Sequence, residues 1–176
     1  IGLRTASIDR RLRPGSKGRR MQFSTRQEIE APIGFVFEQL TDFVGHERAA
    51  SRQGVEVERL DQRASAGAGM SWRCLFTLRG KPRRMEITLQ EFKPQTVLTF
   101  DAESQNLSGD LMVELTELSP GRTRVLVKLD VRPLTLPARL VLQSLRLAKA
   151  RTRAKFSSRV RGQADEIERR YRHGAV

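Results

Sequence analysis

The stretch from Met70 to Leu89, MSWRCLFTLRGKPRRMEITL, decides the fold. In its first half Met70, Trp72, Cys74, Phe76 and Leu78 hold every second position, with Ser71, Arg73, Thr77 and Arg79 between them. Successive side chains of a strand point to opposite faces, so this spacing predicts a strand with one apolar and one mostly wet face. Gly80-Lys81-Pro82 is a turn signal. Beyond it Met85, Ile87 and Leu89 alternate with Arg84, Glu86, Thr88 and Gln90. Two such strands joined by a short connection pair antiparallel.

Working outward, Lys93-Pro94-Gln95 turns the chain again, and 97–102, 111–118 and 123–131 are further strand-like runs. Ser119-Pro120-Gly121-Arg122 joins the last two as a hairpin. Upstream, Val55 and Val57 alternate with glutamates in an outer strand, and a Ser-Ala-Gly-Ala-Gly loop ends at Gly69. The segment QFSTRQEIE after Met21 is the first strand. Ala31-Pro32 then opens a helix, because proline in a first turn wastes no hydrogen bond. Ile33, Val36, Phe37, Leu40 and Phe43 or Val44 give it one apolar face, with Gly45 as its end, and a second short helix spans His46 to Arg52.

Past Pro133 the period changes. From Pro137, the residues Val141, Leu145, Ala148, Phe156, Val160 and Ile167 lie along one face of a helix reaching Tyr171. Thirty-five residues would measure about 52 Å, whereas an 11-residue strand spans about 36 Å. The helix must overhang the sheet, bend, or end near Gly162. The expected fold is therefore α+β: a curved antiparallel sheet of six to seven strands covered by a long C-terminal helix, with two short helices after the first strand.

Charge divides the chain differently. The 176 residues carry 33 Lys+Arg and 20 Asp+Glu, a formal +13. Residues 1–20 hold +6 and 133–176 hold +8, while 21–132 sum to −1. The first twenty residues have no helical or strand period, and are expected to be a disordered basic extension. Met21, immediately before the first patterned segment, is the expected natural start; an Arg-rich transit peptide is the functional rival. Residues 21–172 form the single expected domain and 173–176 a tail. One cysteine and two histidines leave no zinc cluster. No apolar run approaches a membrane span, so a cytoplasmic or peripheral protein is expected.

No nucleophile with a base in reach is apparent, and Cys74, on the apolar side of its strand, is expected to be a packed thiol. His46 and His173 form no triad or ligand set. Gly67-Ala68-Gly69 and Gly15-Ser16-Lys17 lack the frames of nucleotide sites. Glu28 with Glu30 and Glu56 with Glu58 share strand faces but alternate with aliphatic residues, as solvent-facing charges do. Asp101, Asp110 and Asp130 are more ambiguous. No catalytic residue, metal or cofactor is assigned.

The opening STRQEIEAPIGFVFEQLTDF and the closing LVLQSLRLAKARTRAKFSSRVRGQADEIERRY resemble the START-like, SRPBCC superfamily. That superfamily includes polyketide cyclase/dehydrase and coenzyme-Q-binding branches, and the likeness is greatest to small bacterial members of unassigned role. The resemblance covers Met21 to about Arg172. It implies a helix-grip fold, with a hydrophobic cavity between the sheet and the C-terminal helix. The apolar residues expected to line that cavity are Trp72, Cys74, Phe76, Met85, Ile87 and Leu89 from the sheet with Leu145 and Phe156 from the helix.

The expected function is binding or carriage of a hydrophobic small molecule: a lipid, isoprenoid or polycycle. A polyketide cyclase/dehydrase-type enzyme is the alternative, although Tyr171, the one tyrosine, stands near the terminus. A second alternative rests on the helix alone. Arg139, Arg146, Arg153 and Arg161 fall within about 80° on one continuous helix and form a basic stripe suited to anionic membrane or phosphate. Aromatics are absent from it, so sequence-reading nucleic-acid binding is not expected. A solvated helix face is the plainer account of the same charges.

Overall fold

Alternation of buried and exposed side chains organises the sheet. In β1 (Met21–Ile29), Met21, Phe23 and Ile29 are buried while Gln22, Ser24 and Arg26 face water. The computed structural model describes residues 20–78 and 80–174. Apart from Arg20, the basic extension read from the sequence lies outside the described residues, as do 175–176 of the tail.

The elements after β1 are α1 (Ile33–Thr41), α2 (Phe43–Arg52), β2 (Glu56–Arg59), β3 (Ser71–Leu78), β4 (Lys81–Lys93), β5 (Val97–Ser104), β6 (Leu107–Ser119), β7 (Arg122–Pro133), α3 (Leu136–Leu147) and α4 (Lys149–Gly174). The strands form one antiparallel seven-stranded sheet in the order β1-β7-β6-β5-β4-β3-β2. Strands β2 to β7 are a meander, as short connections dictate. β1 returns to pair with β7, and α1 and α2 carry the chain from one sheet edge to the other.

The α+β reading and the two short helices hold, but two helix boundaries move. The first helix ends at Asp42, three residues before Gly45, because the Asp42 carboxylate caps the next helix by accepting from Gly45 N at 2.9 Å. Aspartate at such a position satisfies one of the amide groups a helix start leaves open. Gly45 lies inside the first turn of α2, where a Cβ would collide with that carboxylate.

The long C-terminal helix is broken at Ala148, not near Gly162. Ala148 leaves helical geometry with φ −98° and ψ 25°, and its carbonyl then accepts from Thr152 N at 3.0 Å as α4 begins. The break answers the length problem. α4 alone measures about 39 Å, comparable to the longest strands, while α3 turns separately to bury Ala138 and Leu142. α4 lies along β1: the Phe23 and Phe156 rings are 5.7 Å apart, and the Thr25 and Ser157 hydroxyls share a hydrogen bond of 3.0 Å. Near the other end Glu30 N donates to Glu168 Oε1 at 2.8 Å. The main core gathers Ile29, Val36, Leu89, Leu98 and Val113 beneath Ala164 and Ile167 of α4. A smaller cluster seats Leu142 of α3 on Met21 and Phe23.

Candidate ligand cleft

Strand register lays side chains in rows across the sheet. Phe23, Leu129, Leu111 and Phe100 are successive partners through β1, β7, β6 and β5. One residue along, Gln22, Asp130, Asp110 and Asp101 form the neighbouring row, of opposite alternation. Residues of both rows border an open cleft of about 910 Å³, the apolar row on the sheet face turned to α4 and the acidic row on the opposite face, and α4 contributes Lys149 and Arg153.

The charges in this cleft are partly neutralised. Arg132 pairs with Asp110 and lies 3.5 Å from Asp130, which also meets Arg20 at 3.6 Å and accepts from Gln22 Nε2 at 2.9 Å. Lys149 and Arg153 differ, since neither has a hydrogen-bond or ion-pair partner among the described residues. At 100° per residue they fall within about 80° of Phe156, Val160, Ala164 and Ile167, the face α4 turns to the sheet. The sheet-facing side of α4 therefore begins with two cations and continues with apolar residues.

None of the eight apolar residues expected to line a cavity borders this cleft. Trp72 and Leu89 belong to the closed core, with Leu89 fully buried. Cys74, Ile87 and Phe156 pack against that core, and Leu145 and Phe156 against the smaller cluster. Phe76 and Met85 are half-buried. Burial pushes the Cys74 thiol above its ordinary range, which disfavours the thiolate.

The four arginines read as one stripe are divided by the helix break. Arg139 and Arg146 belong to α3, Arg153 and Arg161 to α4. Arg146 donates to Arg20 O at 2.8 Å, Arg139 is half-buried, Arg153 lines the cleft and Arg161 is exposed. A wheel drawn over one continuous helix loses its phase at Ala148.

Other groups weighed in the sequence have structural partners. Glu28 pairs with Arg122 and Arg124, and Glu58 with Arg73. His46 Nε2 meets Gln39 O at 3.1 Å, and Tyr171 stacks obliquely on Phe35 at 5.1 Å. Among the described residues no cluster of His, Cys, Asp and Glu has the arrangement of a metal site. The strongest carboxylate perturbation is at Asp61, outside the cleft. Hydrogen bonds from Arg59, and then from the Ser71 and Arg63 amides, hold its carboxyl far below the usual range against the opposing effect of desolvation.

Comparison with solved structures finds this architecture repeatedly. The Zhui aromatase/cyclase from Streptomyces sp. R1128 superposes with a TM-score of 0.61 at 15% identity, over 86% of this chain and 96% of that one. The chain has the helix-grip fold. Ara h 8.0201 matches with a TM-score of 0.55 at 12% identity, over 85% of this chain and 95% of its own. Norcoclaurine synthase from Thalictrum flavum reaches 0.53 at 6% identity, over 65% and 70%. No family model and no curated protein sequence matches the chain. The START-like resemblance is thus borne out in the helix-grip architecture, a level at which relatives with different chemistries coincide.

The residues that border this cleft left unequal signals in the sequence. Phe23 and Phe100 sit in strands that were recognised, but their meeting depends on cross-strand register, which a single sequence does not display. Lys149 and Arg153 were within reach, because the phase of Phe156, Val160 and Ile167 already places them on the sheet-facing side.

Proposed function

We propose that the chain binds a hydrophobic small molecule carrying an acidic group, in the cleft between the sheet and the start of α4. The observation that carries this reading is a cleft of about 910 Å³ in which Phe23, Phe100, Leu111 and Leu129 stand beside the unpartnered cations Lys149 and Arg153. The volume falls within the range of small-molecule pockets, which are mainly apolar with a few polar groups that orient the ligand. Apolar burial supplies affinity and the cations select the charged end. Occurrence of the fold in an aromatase/cyclase and in norcoclaurine synthase is consistent with small-molecule binding, and its members' chemistry is not transferred with it.

Cyclase-type catalysis is the second reading. It draws on the row of Asp101, Asp110 and Asp130 at the cleft, three carboxylates side by side in register on the sheet face opposite Phe100, Leu111 and Leu129. Carriage is preferred because Asp110 and Asp130 are already engaged by Arg132, Arg20 and Gln22, and Tyr171 is packed on Phe35 away from the cleft.

Native mass spectrometry after incubation with a long-chain fatty acid, its alcohol and a polycyclic carboxylic acid tests the proposal. Retention of an acid in preference to the alcohol, reduced in Leu129→Trp, is the expected result. Failure of all three ligands to bind, or equal retention by a folded Leu129→Trp protein, overturns it. Turnover of an offered polyketone would favour the cyclase reading.

A further inference from the structure

The apolar surface of α3 is distributed in an unusual way. Its inner side, Ala138, Leu142 and Leu145, packs towards the sheet. Its outer side carries Leu136, Leu140 and Leu147, which are 70%, 69% and 92% exposed. These three lie within about 40° of one another on the helix. Leu134, just before the helix, and Val141 add to the same short segment. The large exposed hydrophobics of the described residues are thus concentrated here: five of nine fall between Leu134 and Leu147.

Clustered exposure of this kind marks a surface that meets something apolar, and the surrounding charge identifies the partner. From Val131 to Ala164 there is no acidic residue, and the interval holds nine Lys and Arg. Two copies of the chain meeting through α3 would oppose these basic segments to each other, which like-charge repulsion disfavours. Nucleic-acid phosphates would satisfy the arginines but leave the leucines in water. An anionic bilayer satisfies both, since leucines enter the acyl boundary while basic side chains remain at the headgroups.

We propose that α3 is an interfacial membrane-docking helix, entering an anionic lipid surface through Leu136, Leu140 and Leu147. It docks without spanning, for among the described residues no helix is long and apolar enough to cross a bilayer. The inward side of α3 holds the helix on Met21 and Phe23 while the outward side engages lipid. This assignment is independent of what the cleft binds.

The test is co-sedimentation of the full chain with vesicles of phosphatidylcholine alone and of phosphatidylcholine mixed with phosphatidylglycerol. Binding to the mixed vesicles only, weakened by salt, is expected. The triple variant Leu136→Ser, Leu140→Ser, Leu147→Ser retains every charge, and should bind at least about tenfold more weakly given the transfer free energy of a leucine side chain. Unchanged circular dichroism and Trp72 emission verify its fold. Leu140→Trp provides a direct reading: a blue-shifted emission component and quenching by brominated acyl chains on mixed vesicles. Equal vesicle binding by the triple variant would show that charge alone attracts the chain and would overturn the proposal. So would an absence of vesicle binding, or a leucine-dependent dimer in sedimentation that does not bind lipid. Ligand retention in the cleft should be the same in the triple variant, which separates failure of this inference from failure of the ligand reading.

Discussion

Trp72 donates its indole Nε1–H to Glu47 Oε1 at 2.6 Å, tying β3 to α2 from within the core. The Arg59 guanidinium carbon lies 5.3 Å from the indole ring centre on the same side chain's surroundings, and Arg59 Nη1 is 3.8 Å from that Glu47 oxygen. Trp72 is 6% exposed, so removing the acceptor leaves a buried donor without a partner. Glu47→Ala should destabilise the protein by about 1–3 kcal/mol, and Glu47→Gln, which keeps an acceptor, by less. Trp72 is the single tryptophan, so urea unfolding followed by its fluorescence reports on this contact directly.

Asp61 anchors the other side of the same network. Its carboxylate accepts from Arg59 Nε at 2.5 Å and Nη2 at 3.0 Å, from Ser71 N at 2.8 Å and from Arg63 N at 2.9 Å. The folded state therefore holds this carboxyl well below its unfolded range, principally through the Arg59 hydrogen bond. Its stabilisation is complete above the unfolded pKa, about 4, and is lost as pH falls through the depressed folded value. Asp61→Asn should lower stability near neutral pH and flatten the decline of stability on the acid side. Thermal unfolding across the acid range checks this, and a variant declining as steeply as the parent would refute the assignment.

The seven strands were legible because each is a local pattern, from Met70 to Leu78 most clearly, with turn residues between runs. What the sequence left obscure depends on competition between local choices. Gly45 looked like a helix end, but an aspartate three residues earlier provides a better start for α2 than glycine provides an end for α1. Gly162 looked like a break, yet it lies within α4, while Ala148, among the best helix formers, marks the actual one. Packing decides there, since separate helices seat Leu142 and Phe156 on one sheet. The cleft was harder still, because Phe23 and Phe100 become neighbours of one site only once the strands between them are aligned.

Gly162 offers a simple stabilising change. It is exposed inside α4, and a Cβ placed on it would meet nothing within 4 Å. The glycine therefore spends backbone entropy with no steric reason to be there. Gly162→Ala should stabilise the protein by about 1 kcal/mol, read as a higher denaturant midpoint at unchanged slope. No change, or a loss, would mean that this part of α4 is not helical in solution.

Lys149 and Arg153 provide the sharpest test of the cleft because their substitution alters charge without disturbing the core. Both are exposed, both line the cleft, and neither has a partner among the described residues. Arg153→Gln should therefore leave stability within about 0.5 kcal/mol of the parent. If the two cations select an acidic ligand end, Lys149→Gln with Arg153→Gln should weaken binding of a long-chain fatty acid by about tenfold or more, a charge-assisted hydrogen bond contributing roughly 1.5–3 kcal/mol. Binding of the corresponding alcohol should change little, since it loses only contact with two side-chain stems. Titration calorimetry with both ligands measures the difference. Equal losses for acid and alcohol would mean that the two residues shape the cleft sterically, and no loss for either would place the ligand elsewhere.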